Sequence, residues 1–201
     1  MTRLKIFFTF ALLFVVAQGA GAWTGSGSEA DPFQISTADD WNTLCANVNN
    51  GTNTYSGKNF LMTRDISVSR MVGTRSSEGT FNVFQGTFDG GGNTLTVNYT
   101  TDAEFCGPFC YTYGATIKNL RTAGTINTSS TYAGGVVGRN GTASLTLTNV
   151  TSSVTITSTH SGKTYLGGLV GYAIQARLTG CTFTGSLNGT NSTHCGDLLG
   201  Y

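Results

Sequence analysis

The sequence predicts an all-β chain wound as a solenoid, with short strands stacked coil upon coil. Three observations carry this expectation. The polar residues are dominated by Thr, Ser, Asn and Gly, with 28 Gly against two Pro and only 10% charged residues, a composition that favours strands joined by tight turns. A Gly-rich apolar phrase recurs as GPFCY, GGVVG, GGLVG and GDLLG, opening at Gly107, Gly134, Gly167 and Gly196 with spacings of 27, 33 and 29 residues. Each full unit then carries a second phrase (IKNL from Ile117, LTNV from Leu147, LTGC from Leu178). An apolar residue stands nine positions after the first of that phrase each time, at Ile126, Ile156 and Leu187. Constant strands with variable loops are what stacked coils require, because each unit buries its apolar side chains only against its neighbours.

Taken in order, residues 1–22 read as a cleaved Sec-type signal peptide. Arg3 and Lys5 give a basic start, residues 6–17 are an apolar run broken only by Thr9 and too short to span a bilayer, and Ala20-Gly21-Ala22 offers small residues before a cut at Ala22/Trp23. The expected location is secreted or cell-surface, with no membrane span after cleavage. Loss of Arg3 and Lys5 takes the formal charge from +1 to −1. Without a basic run, nucleic acid is not an expected partner.

Residues 23–56 are expected to hold an N-terminal strand and one helix. In STADDWNTLCANV (residues 36–48), Ser36 and Asp39 read as a capping box, and Trp41, Leu44 and Val48 share one face. That helix would cover the open N-terminal edge of the stack. Residues 57–106 read as irregular first coils. FLMTRDISV (residues 60–68) has apolar residues at 60, 62, 66 and 68 with Arg64 as the misfit. FQGTFDGGGNTLTVN (residues 84–98) is two strand-like pieces joined through Asp89-Gly90-Gly91-Gly92-Asn93, with Asp89 as a turn residue.

Residues 107–201 are the regular coils. Asn119, Asn149 and Gly180 share one register, where a left-handed corner favours Asn or Gly. Such a corner lets Ile117 and Leu120 both point inward. The Gly residues of GGLVGY (residues 167–172) are read as a turn. A phosphate-cradling loop would need a following helix pattern and a Lys, and both are missing.

At these residues the chain resembles bacterial surface and secreted proteins, of Bacteroidetes type, that carry the GLUG motif. The resemblance rests on GGLVGY, GGVVGR, GTFDGGGNTL, GATIKNL and the opening GSGSEADPFQISTADDWNTL. It implies a right-handed parallel β-helix, an extracellular location and a place in larger adhesin-like or protease-associated chains; the reading of residues 36–48 adds the short N-terminal capping helix. It offers no catalytic residue to carry over.

Five Cys in a secreted chain suggest disulfides. The repeat, however, places Cys106 and Cys195 three rungs apart, on the order of 14 Å at ~4.8 Å per rung, beyond disulfide reach. Cys110 is read in register with Val137, Val170 and Leu199, and Cys181 with Leu120 and Val150, all as core positions. Cys45 lies on the helix face near Leu44 and Val48. Cys106–Cys110 and Cys181–Cys195 remain open as pairs. A zinc site from Cys106, Cys110, His194 and Cys195 would need the three-rung gap closed. Glycan-cleaving β-helices need converging carboxylates, and residues 107–195 contain no Asp or Glu. Asp102, Glu104 and Asp197 flank that stretch, Asp65, Glu78 and Asp89 on the irregular coils are the acids that could meet, and neither His160 nor His194 has a nucleophile motif around it. No cofactor, no metal and no catalysis are expected.

The better candidate is a ladder. Phe105, Tyr132, Tyr165 and His194 precede the coil-opening positions, one per rung, and should point outward. A second row, one place after each Gly-rich phrase, is Thr112, Arg139, Tyr172 and Tyr201. The rows read either as a ligand-facing platform for sugars or as rings that stack to stabilise the coils. The expected function is adhesin-like binding of glycans or extracellular, host-surface proteins without catalysis. The alternatives are a structural spacer, or a subunit or fragment associating end to end through an uncapped C-terminal edge. A polysaccharide-processing enzyme ranks last, since only fold analogy favours it.

Overall fold

Each regular coil visits four sheets in turn, and the corners explain why. In the coil that starts at Thr116–Lys118 (sheet one), the chain turns at Asn119 and runs through Arg121–Thr128 (sheet two). It continues through Tyr132–Gly134 (sheet three) and Val137–Asn140 (sheet four), and re-enters sheet one at Leu145–Thr148. The computed structural model describes residues 23–75, 79–190 and 194–200. The signal-peptide reading of residues 1–22, Glu78 and Tyr201 lie outside them.

All four sheets are parallel stacks. Sheet one runs Phe33–Ile35, Asn59–Met62, Thr87–Asp89, Thr116–Lys118, Leu145–Thr148, Ala176–Thr179. Sheet two begins at Ile66–Val68 and Thr94–Thr101, sheet three at Phe105–Cys106 and sheet four at Phe109–Thr112. The chain is an all-β parallel solenoid with one short helix, as the repeat predicts. The nine-residue offset is a true register, with Ile126 opposite Ile156 and Ile156 opposite Leu187.

The corner between sheets one and two is left-handed in every regular coil. Asn119 has φ 50°, Asn149 φ 54° and Gly180 φ 63°. Asn tolerates this region because its side chain bonds locally. Here those bonds run up the stack: Asn119 Nδ2 donates to Asp89 Oδ1 at 3.1 Å, and Asn149 Nδ2 to Asn119 Oδ1 at 3.4 Å. Asp89 is a turn residue, accepting from the Gly91 amide at 2.9 Å. With the corner in place, Ile117 and Leu120 are both fully buried, as are Leu147 and Val150.

Sheets three and four meet in the Gly-rich phrase. A Cβ on Gly171 would lie 2.6 Å from the Gly138 carbonyl oxygen and 2.8 Å from the Ala133 nitrogen, so only Gly lets the two arms close backbone on backbone. Val136, Val137, Leu169 and Val170 then turn into the core at 0% exposure. The phrase is a structural turn. Its first copy is one residue shorter: Ala133 pairs with Cys106, yet Val137 pairs with Phe109. This corrects the expectation that Cys110 aligns with Val137. Phe109 takes the core position, and Cys110 packs outside the tube with Phe105 and Tyr111.

The helix spans Ala38–Asn49 and fills the N-terminal end. Its cap lies one residue later than expected, with Thr37 and Asp40 as the capping box. Burial pushes the Asp40 carboxyl up, but hydrogen bonds from Ser36 and Thr37 outweigh this and hold it below its usual value. Trp41, Leu44, Cys45 and Val48 are buried, and the Trp41 ring meets Phe88 and Phe109 edge-on at 5.8 and 5.5 Å. The 60–68 segment is two strands, Asn59–Met62 and Ile66–Val68, with Arg64 exposed between them. An antiparallel hairpin of Thr74–Arg75 with Phe81–Asn82, which the repeat did not foretell, leaves the coil here. In the last described rung Leu178, Cys181 and Leu187 are half-buried, although their counterparts below are fully buried.

Candidate functional site

Strand pairing on sheet three brings the expected aromatic row into one register. Phe105, Tyr132, Tyr165 and His194 are in register rung by rung. Phe105 and Tyr132 centroids are 5.5 Å apart, Tyr132 and Tyr165 5.0 Å, Tyr165 and His194 4.7 Å. Tyr132 and Tyr165 are stacked within 11°, whereas the Phe105–Tyr132 and Tyr165–His194 pairs are tilted by 49° and 34°. Phe105 is not a surface residue at all: it is 1% exposed.

The second row needs correction at its first member. Arg139 stands opposite Tyr111 and Tyr172, whereas Thr112 is in register with Asn140 and Ala173. Thr112 is buried and donates to Asn140 Oδ1 at 2.9 Å, while Asn140 Nδ2 donates to the Ala143 carbonyl at 2.6 Å. This pair satisfies the inside of the corner. The register slip has the same cause as that of Cys110, the shortened first phrase.

Arg139 joins the two rows. Its Cζ lies 5.3 Å from the Phe105 centroid, 5.7 Å from Tyr111, 5.3 Å from Tyr132 and 5.5 Å from Tyr172. All four distances are within cation–π range. Arg139 Nε is buried without a hydrogen-bond partner. Burial raises the pKa of Tyr111, and the Arg139 charge works against that rise.

Beside Arg139 the outer face of sheet four opens into a cleft of about 350 Å³, walled by Phe81, Val83, Gln85, Tyr111, Tyr113 and Ile174. The hairpin segment supplies one wall. Phe81 stacks on Tyr111 at 4.7 Å and 13°, with Arg75 against its ring at 5.3 Å. Sequence reasoning missed Phe81, Tyr113 and Ile174 because they belong to no repeat. The alternation of Phe81 and Val83 outward with Phe84 inward was the one available signal.

The other candidates are not brought together. The five cysteines are free thiols. Cys106 and Cys195 are three rungs apart through Ala133 and Leu166. Burial pushes the Cys45 and Cys106 thiols up to about 12, with the nearby Arg70 charge opposing it at Cys45 and a Thr128 hydrogen bond at Cys106. Asp65 Oδ1 accepts from the Thr94 amide at 2.7 Å, and Asp89 pairs with Lys118 at 3.5 Å, so both carboxylates serve corners. Among the described residues no group of three His, Cys, Asp or Glu could hold a metal ion.

Comparison with known proteins adds one finding. Residues 162–188, the coil that contains GGLVGY, match the family model of the GLUG motif. GLUG motifs occur in β-helix-like bacterial surface proteins. No curated protein and no solved structure matches the chain. No helix among the described residues is long and apolar enough to cross a membrane.

Proposed function

From a chain that carries a GLUG motif on a parallel β-solenoid, we propose an extracellular, adhesin-like recognition module that binds glycans without catalysis, using the outer face of sheet four. One observation carries the reading. Of the four large hydrophobic side chains exposed among the described residues, three line the single cleft beside Arg139: Phe81 (39%), Tyr113 (40%) and Ile174 (52%). Exposed apolar groups gathered in one concavity mark a contact surface, whereas scattered ones are ordinary. Of the ladder, Tyr132 bears on the cleft through Arg139, whose Cζ lies 5.3 Å from its ring centroid, while Tyr165 and His194 are outside the lining. The lack of any Asp or Glu between residues 107 and 195 supports a role without acid–base chemistry.

The test is an array of host, plant and microbial glycans, mucin and matrix proteins, probed with the purified protein and its Tyr113→Ala variant. Binding without released product, reduced at least tenfold in the variant, is the expected result. An array with no binding overturns the reading and favours the structural alternative. Analytical ultracentrifugation separates the two: the recognition module stays monomeric, the assembling subunit grows with concentration.

A further inference from the structure

The geometry points to a saccharide that bears a carboxylate as the ligand of this cleft, with Arg139 as the residue that selects the charge; the inference rests on the recognition reading above. Arg139 is the one charged residue in the lining. Its cationic neighbour Arg75 is already neutralised, with Nη1 2.7 Å from Glu104 Oε2. No carboxylate among the described residues pairs with Arg139. Four rings hold its position from the side, and its Nε lies buried and unpartnered. With Nε closed off by the surrounding rings and no carboxylate partner, the guanidinium is left to meet a planar anion through its two Nη groups, which can supply two parallel N–H bonds.

The rest of the lining says what the anion is attached to. Tyr113 and Ile174 offer exposed apolar surface of the kind that covers the C–H face of a sugar ring. Gln85 has a half-buried amide with no hydrogen-bond partner among the described residues, and Thr142 brings a hydroxyl held 3.4 Å from the Tyr113 phenol oxygen. These are a donor–acceptor amide and a hydroxyl for ring hydroxyls, set between an apolar wall and a cation. A volume of about 350 Å³ admits one or two sugar rings.

The experiment titrates the protein with glucuronate-bearing oligosaccharides and with the same oligosaccharides after carboxyl reduction to glucosyl units, alongside the matrix proteins. The inference expects the acidic form to bind at least tenfold tighter, the preference to vanish in Arg139→Gln, and Arg139→Lys to restore it only in part. Because Arg139 also packs against four rings, Ile174→Asp serves as the fold-neutral variant. It places a negative charge at an exposed rim position and removes the same apolar surface as Ile174→Ala, so both variants should weaken the reduced ligand alike, while Ile174→Asp should weaken the acidic ligand at least tenfold more than Ile174→Ala does. Equal binding of both forms overturns the inference and leaves the recognition reading intact, whereas binding of matrix protein alone overturns the inference and the glycan part of that reading. No binding of any probe overturns both.

Discussion

The rings of Tyr132 and Tyr165 lie 5.0 Å apart and within 11° of parallel. Each is also edge-on to Tyr172, at 5.6 and 5.4 Å. A ring so enclosed contributes chiefly through packing. Tyr132→Ala should lower stability by about 2 kcal/mol, below the range for a fully buried aromatic because Tyr132 is half-buried. Tyr132→Phe should change it by less than ~0.5 kcal/mol, since the stacked ring is kept. Urea unfolding midpoints at constant m-value measure both; equal losses in the two variants would mean that the hydroxyl, not the ring, matters.

The left-handed corners separate conformational cost from side-chain bonding. Asn119→Ala should cost about 1–2 kcal/mol, from the left-handed backbone and the lost bond to Asp89. Asn119→Gly retains the conformation and should cost less than the Ala variant. Gly180 already plays that part in the next-but-one coil at φ 63°. Thermal unfolding of the pair in parallel decides it.

The close approach in the Gly-rich phrase should be intolerant of a single methyl. In Gly138→Ala the new Cβ would lie 2.8 Å from the Cys106 nitrogen and the Cys110 carbonyl oxygen, atoms that cannot swing aside. The expected loss is about 3 kcal/mol, in the upper range for overpacking. Gly92→Ala is the control: its Cβ meets nothing within 4 Å, and only its φ of 77° opposes the change. A Gly138→Ala protein as stable as Gly92→Ala would show that the two arms are not packed backbone on backbone.

The buried thiols make stability fall on the alkaline side. Cys45 and Cys106 ionise near 12 in the fold against about 8.5 in the unfolded chain, and burial raises Cys110 as well. The unfolded state therefore holds fewer protons between these values, and each thiol removes up to ~1.4 kcal/mol of stability per pH unit. Stability should be level from pH 7 to 8 and decline above pH 9, read from urea midpoints. A thiol reagent at pH 8 should label exposed Cys195 first and half-buried Cys181 next, and leave Cys45, Cys106 and Cys110 unlabelled until the protein unfolds.

The sequence by itself determined the solenoid, the order of its coils and the corner residues. Ile126, Ile156 and Leu187, or Asn119 and Asn149, repeat at offsets that only stacked rungs can satisfy, because each rung finds its core partners at the same place in the next. The aromatic row of sheet three was legible for the same reason. Only the tertiary structure decided what lies outside the repeat. The one-residue shortening at Gly107-Pro108 moves Tyr111 into the row and Thr112 into the core, a shift visible only in strand pairing. Likewise the cleft is built by Phe81 from a hairpin, Arg139 from a strand and Ile174 from a loop, residues far apart in sequence that the stack brings to one face. Periodicity reports what each rung shares with the next, so a site made from their differences has no period to read.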